Sequence, residues 1–292
     1  MVERQGQRDR GQGRHQERGR SGVFTAVALA GAAGVVATVC GCAVTGGAAA
    51  DDGSAGDGTA AVRGAAGALV SAGSARAVTS MEMAAGGTRV TIRGEGGYDF
   101  RGRMGSLTVT LPKDPAGSPE HRPITELLSP SRLYMKNRGA GVPADKWVRV
   151  ESATLEDGNL VTGGATDPLT AAELLHTAAR VTYVGTETLA GATVRHYRGV
   201  TDLRAAGRQA PSYARAALTA AAKGKGFAAK TVPFDAYVDD AGRLRKVRQR
   251  FSYLNQGSSV TVSSTTLLYD FGTPVSVKLP PADDIYAGRI KD

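Results

Sequence analysis

The sequence has few of the side chains on which metal binding and redox chemistry depend. Among its 292 residues there are two cysteines, four histidines and one tryptophan. Two cysteines are too few for a disulfide-stapled scaffold or a four-thiolate zinc site, and four histidines leave little for a histidine-rich metal centre. Hydrophobic residues still make up 41% of the chain, which is enough for a core. Composition therefore argues against global disorder.

Motifs that define common catalytic classes are also missing. There is no Gly-x-Ser-x-Gly elbow, no Ser-x-x-Lys pair and no Gly-x-x-x-x-Gly-Lys-Ser/Thr phosphate loop. His121, His176 and His196 lie far apart and lack the helical spacing of metal ligands. The acidic pair at 239–240 stands before Ala-Gly and is typical of a hairpin turn, and the pair at 283–284 lacks the spaced oxygen ligands of a calcium loop. We therefore expect no catalytic residues, no metal and no cofactor.

The amino-terminal 50 residues have the composition of an export segment. Residues 1–20 carry six arginines against three acids, and residues 21–50 carry no charge. A basic region, then an apolar run, then small residues is typical of a secretory signal peptide. The alternative is an uncleaved membrane anchor, for which an Ala- and Gly-rich apolar run of about 18 residues is short.

The end of this segment reads Val39-Cys40-Gly41-Cys42. It resembles the lipobox of bacterial lipoproteins, with an aliphatic residue at −3, a small residue at −1 and cysteine at +1. The resemblance implies cleavage after Gly41, diacylation of Cys42 and anchoring on the extracytoplasmic face of the cell membrane. Cys40 fits less well as the acylated residue, because Val39 at −1 is bulky. Removal of residues 1–41 lowers the formal net charge from +9 to +6.

The predicted domain organisation has three parts. Residues 1–41 are the signal peptide, 42–59 are the acylated cysteine and a Gly- and Ala-rich tether, and 60–292 are one domain. The composition of the tether predicts a flexible chain. Thr59 can cap a first helix over 60–71.

Alternation of apolar and polar residues predicts a strand-rich domain. The clearest example is the run Leu107-Thr108-Val109-Thr110-Leu111, in which every second residue is apolar. Asp167-Pro168 predicts a helix start, with aspartate as N-cap and proline at the first helical position, and an Ala-rich stretch predicts another helix over 211–223. Further strands are predicted over 77–83, 88–93, 132–136, 146–150, 181–184, 193–201, 232–238, 244–253, 259–271 and 275–279.

This order of elements defines an α+β fold with a large curved antiparallel sheet and helices packed on one face. It resembles the LolA-like half-barrel, and more narrowly the actinobacterial LppX/LprG lipoproteins. The resemblance is carried by Arg132-Leu133-Tyr134-Met135-Lys136, by Lys146-Trp147-Val148-Arg149-Val150, by Asp167-Pro168-Leu169 and by the hairpin over 234–250. It implies a sheet that encloses acyl chains in an apolar cavity.

The leading functional hypothesis is a non-enzymatic lipoprotein that binds or carries an apolar, acyl-lipid ligand inside the sheet. Burial of each methylene contributes about 0.8 kcal/mol. Alternation alone selects the candidate lining residues, and the same face could instead be a dry core. The candidates are Val90, Ile92, Leu107, Val109, Leu133, Met135, Phe234 and Val238.

A run of positive charge in one predicted strand supports an alternative hypothesis. Arg243, Arg245, Lys246, Arg248 and Arg250 lie within eight residues. Such a run is commonly a solvated strand face that discourages edge pairing. It could also attract anionic headgroups or an anionic envelope polymer, or an envelope protein, in which case the chain would be a sensory or structural lipoprotein. Alternation places Arg245 on the face opposite Lys246, Arg248 and Arg250. Nucleic acid is not expected as a partner of an exported, tethered domain.

Overall fold

The computed structural model describes residues 52–288, apart from 86–87, 113–121, 140 and 256–257. The predicted signal peptide, Cys42 and the first part of the predicted tether lie outside the described residues.

The domain is built on one sheet of eleven antiparallel strands in the order β6-β5-β4-β3-β2-β1-β11-β10-β9-β8-β7. Two runs of sequentially adjacent strands, β1 to β6 and β7 to β11, are joined through the pair β1–β11. The strands are β1 Ser74–Ala85, β2 Thr88–Asp99, β3 Met104–Thr110, β4 Ile124–Ser129, β5 Arg132–Lys136, β6 Trp147–Glu151, β7 Ala179–Leu189, β8 Ala192–Asp202, β9 Thr231–Asp239, β10 Leu244–Asn255 and β11 Ser258–Tyr269.

The helices pack against one face of this sheet, which we call the inner face. They are α1 Asp52–Ala72, α2 Pro168–Leu174, α3 Leu203–Gln209 and α4 Ser212–Lys223. On α1, Val62, Ala65 and Leu69 are buried in one cluster with Ala75 and Ala77 of β1. The predicted fold class, α+β with a large antiparallel sheet and helices on one face, is confirmed.

Local sequence explains several boundaries. The side chain of Asp167 accepts a hydrogen bond from Thr170 N at 2.8 Å, so α2 begins as predicted, with Pro168 at its first position. Helix α1 instead begins at Asp52, eight residues before the predicted start, and includes Thr59. Gly58 is buried against Tyr197 of β8, so tertiary packing extends this helix into the predicted tether.

The predicted strand over 275–279 is wrong, because this segment pairs with no described strand. It keeps the expected alternation, with Val275 and Val277 half-buried and their neighbours exposed. Val275 packs over Gly97 on the outer face of β2. The chain then reaches β6, where Tyr286 N donates to Trp147 O at 2.8 Å. The segment is therefore an extended strap across the outer face of the sheet.

Candidate ligand-binding site

The inner face of β2 to β6 is apolar, and most of the predicted lining residues lie on it. Cross-strand pairing places Leu107 opposite Gly96, Val109 opposite Gly94 and Met135 opposite Val148. The predicted residues that are buried on the inner face are Leu107, Val109, Leu133, Met135, Phe234 and Val238. Ile92 is half-buried and Val90, near the end of β2, is 37% exposed. The structure thus brings these residues to one face, where six belong to a single packed cluster.

An irregular segment, residues 155–167, covers the inner face where β2 to β5 pass beneath it; we call it the inner loop. A Cβ atom on Gly163 would lie 3.2 Å from Leu133 Cδ2, and one on Gly164 would lie 3.4 Å from Ile92 Cγ2. Leu160 and Val161 are buried in a second cluster with Met81. Connecting segments usually run over protein surfaces, so a buried loop at this place is unusual.

The described hydrogen bonds of the inner loop are mostly made within it. Asp157 accepts from the backbone N–H groups of Asn159, Val161 and Thr162 at 3.1, 2.7 and 2.6 Å. The polar contacts of the inner loop with the sheet are between side chains: Thr166 Oγ1 lies 2.7 Å from Ser264 Oγ, and Asp167 Oδ2 accepts from the Tyr98 hydroxyl. The loop can therefore leave the sheet without breaking a backbone ladder.

Helix α4 holds the beginning of the inner loop. Gly158 has φ +59°, and a Cβ there would lie 2.1 Å from Ala217 O. A Cβ on Gly224, at the carboxyl end of α4, would lie 2.1 Å from Glu156 O. These glycines permit a backbone-to-backbone approach that no larger residue allows. The beginning of the inner loop is thereby packed directly against the backbone of α4.

Glu126 is the exceptional residue of the inner face. It has no solvent exposure and lies on β4 between Leu107 of β3 and Met135 of β5. Neither of its carboxyl oxygens has a hydrogen-bond partner among the described residues. Burial raises the pKa of this carboxyl from its ordinary value of 4.5 to about 8, so it is mainly uncharged at neutral pH.

A small polar cavity of about 30 Å³, roughly the volume of one water molecule, lies beside the inner loop. Tyr98 donates to Asp167 Oδ2 at 2.9 Å, and Tyr213 of α4 donates to Glu173. The guanidinium of Arg103 lies 4.2 Å from the centre of the Tyr213 ring. Burial raises the pKa of both tyrosine hydroxyls. This network joins α2, α4 and the β2–β3 turn at one end of the inner loop.

The basic run of β10 divides between the two faces of the sheet, as alternation predicted. Arg245 lies on the inner side, where its Nε donates to Asp239 Oδ2 at 2.8 Å. Arg248 and Arg250 lie on the outer face, where they donate to Ser263 Oγ at 2.7 Å and Asp235 Oδ2 at 3.0 Å. Lys246 Nζ is 4.7 Å from the centre of the Tyr237 ring. These side chains thus have internal partners, and Arg245 is separated from the other three.

His196 also lies on the outer face, where it contacts Asp235 and Tyr237. Its Nε2 is 3.0 Å from Asp235 Oδ1, and its ring stacks on Tyr237 at 4.2 Å. Arg198 Nε also donates to Asp235 Oδ1, at 3.0 Å. The histidine therefore belongs to a polar cluster with Asp235 and Arg198. No group of three or more histidine, cysteine or acidic residues within the described chain is placed to hold a metal ion.

Three features were not predicted from the sequence: the role of Glu126, the inner loop and helix α3. A charged residue at an inward position of a short strand was the available signal for the first. The three glycines of the inner loop, close together between two apolar elements, were the signal for the second.

Among the helices of the described residues, none combines the length and the hydropathy that a membrane span requires.

Solved structures similar to this chain include a mycobacterial lipoprotein and a LolA superfamily protein. LppX from Mycobacterium tuberculosis is 12% identical, with a TM-score of 0.45, and the match covers 76% of this chain and 99% of LppX. LprF from Mycobacterium bovis is 13% identical, with a TM-score of 0.40 and coverage of 77% and 97%. A LolA superfamily protein from Nitrosomonas europaea is 10% identical, with a TM-score of 0.32 and coverage of 73% and 94%.

The resemblance to LolA-like and LppX/LprG-like proteins expected from the sequence is thus found among solved structures. No family model and no curated protein matches the chain. Because the identities are low and the TM-scores are below 0.5, the proposed function rests on the sequence and the geometry of this chain alone.

Proposed function

We propose that this protein is a membrane-anchored extracytoplasmic lipoprotein that binds an acyl chain on the inner face of its sheet. The observation that carries the proposal is what covers this face. Over β2 to β5 the inner face is covered by the irregular inner loop, whose hydrogen bonds are mostly internal. The acyl chain takes the place of the loop, against Leu107, Val109 and Leu133. Binding, rather than catalysis, is the role that such an apolar face supports.

The energetics set a minimum length for the ligand. Exposing Leu160 and Val161 costs roughly 3–6 kcal/mol, since each buried aliphatic side chain is worth about 1.5–3 kcal/mol. Each ligand methylene that is buried in their place contributes about 0.8 kcal/mol. About four to eight methylenes therefore offset the displacement of the loop, and a sixteen-carbon chain exceeds it.

Affinity should accordingly rise steeply with chain length. We expect delipidated full-length protein to bind hexadecan-1-ol, to bind dodecan-1-ol more weakly and to bind octan-1-ol undetectably, measured with radiolabelled alcohols supplied from cyclodextrin. Ile92→Ala should weaken binding, because the acyl chain that takes the place of the inner loop would lose its apolar contact with Ile92. Thr91→Ala, on the other face of the same strand, is the matched control. Equal affinity for all three alcohols would contradict the proposal. So would protein that is purified from the native host without bound lipid and that binds none of the three alcohols.

We further propose that the acylated residue is Cys42. With α1 beginning at Asp52, nine residues separate Cys42 from the folded part, a span of at most about 36 Å when fully extended. Two acyl chains make such an anchor stable.

Cys42→Ala should abolish incorporation of radiolabelled palmitate and leave the signal peptide uncleaved. Cys40→Ala is the matched control and should retain both acylation and cleavage, because Gly41 and Cys42 are untouched. Labelling of the Cys42→Ala variant would show that another residue is modified.

A further inference from the structure

The inner loop passes directly over Glu126. A Cβ atom on Gly164 would lie 3.8 Å from Val109 Cγ1, and Val109 is paired with Ile124 of β4. A Cβ atom on Gly163 would lie 3.2 Å from Leu133 Cδ2, and Leu133 is paired with Leu128. The loop thus crosses β4 between the levels of Ile124 and Leu128, which is the level of Glu126.

Nothing described in the loop-covered state compensates for this carboxyl. Its neighbours across the strands are Leu107 and Met135, and its neighbours along β4 on the same face are Ile124 and Leu128. A buried polar group without a partner costs free energy that an aliphatic side chain of similar size would not. The partner is therefore to be sought in the state in which the loop has left and a ligand lies on this face.

We propose that Glu126 binds an uncharged polar group, a hydroxyl or an ester carbonyl, on the acyl ligand that replaces the inner loop. This inference rests on the proposed function. A protonated carboxyl offers one O–H donor and one carbonyl acceptor, which can bond to either group. An anionic headgroup at this position is disfavoured, because the strand neighbours of Glu126 in the described part of the chain are all apolar and offer no cation to pair with it.

The position also defines the kind of ligand. Glu126 lies at the middle of β4, with apolar residues on both sides of it along the inner face. A polar group that reaches it must therefore lie within an otherwise apolar molecule, or at the end of one that enters fully. Neutral long-chain esters and alcohols have this character, whereas phospholipids with charged headgroups do not.

Four probes with sixteen-carbon chains test the inference: hexadecan-1-ol, methyl hexadecanoate, hexadecane and hexadecanoate. Each is supplied from cyclodextrin to delipidated full-length protein, and bound probe is quantified after gel filtration. We expect the alcohol and the ester to bind about tenfold more tightly than hexadecane, because one buried hydrogen bond changes affinity by about that factor. We expect hexadecanoate to bind more weakly than the ester.

Glu126→Met should remove this preference and bind hexadecane at least as tightly as the wild type does. Glu95→Met, on the outer face of β2 where Glu95 is exposed, is the matched control and should retain the preference. The same ranking of probes in the wild type and in Glu126→Met would overturn the role of Glu126 and leave the proposed function standing. Failure of the wild type to bind any of the four would overturn both.

Discussion

Replacement of Glu126 by methionine should stabilise the protein by about 3 kcal/mol at pH 7. Burial raises the pKa of this carboxyl from 4.5 to about 8, so the folded state holds a proton that the unfolded state releases between these values. Each unit of difference corresponds to about 1.4 kcal/mol. The contribution of Glu126 to stability is thus most favourable below pH 4.5, declines as the pH rises, and reaches its lowest value above pH 8.

Urea unfolding followed by circular dichroism from pH 5 to pH 8.5 measures both effects. We expect the wild type to lose stability over this range relative to Glu126→Met, by about 4 kcal/mol in total. The exposed control Glu95→Met should follow the wild type. A Glu126→Met protein that is less stable than the wild type at pH 7, with the same pH dependence, would show that the carboxyl has a partner in solution.

A disulfide between the inner loop and β11 should prevent ligand binding. Thr166 Oγ1 and Ser264 Oγ are 2.7 Å apart, so sulfur atoms in their place need only a small shift to reach the bond length of about 2.05 Å. The background is the full-length chain with Cys40→Ser and Cys42→Ser, which has no other cysteine. Oxidised Thr166→Cys/Ser264→Cys should lose at least tenfold in affinity for hexadecan-1-ol, because the loop can no longer leave the sheet.

Reduction should restore binding to the same protein, and each single-cysteine variant should bind under both conditions. The crosslink closes a stretch of nearly 100 residues, so it should also stabilise the fold by up to roughly 4–5 kcal/mol by the chain-entropy estimate. Equal binding by the oxidised and reduced double variant would show that the ligand enters without displacing the loop at Thr166.

Where local sequence alone determines structure, prediction succeeded. Strand β5 was predicted over 132–136 and occupies Arg132–Lys136, because apolar residues alternate there without interruption. Asp167 and Pro168 likewise marked the start of α2. Strand β4 was missed because Glu126 occupies an inward position, where alternation predicts an apolar residue. Helix α3 was missed because its seven residues include Gly207 and give little periodic pattern.

The candidate site was predictable only in part, because alternation assigns residues to a face and does not say what covers it. Leu107 and Met135 were placed on the inner face by their spacing alone. That Gly163 and Gly164 lie against this face depends on contacts between segments distant in sequence. The 275–279 segment illustrates the same limit: its alternation is real, yet it reflects packing of Val275 over Gly97 and not a strand.

The pair β1–β11 has a consequence for how the chain folds. Within each half of the sheet, strands that follow one another in sequence pair with one another, but the halves pair only along β1 and β11, from Arg76–Tyr269 to Ala84–Thr261. Contacts so remote in sequence form slowly. Until Ser258–Tyr269 is available, β1 and β10 remain open edges beside an apolar face, the arrangement that favours aggregation. A chain exported unfolded, amino terminus first, would therefore need protection at those edges until its last strand has crossed the membrane.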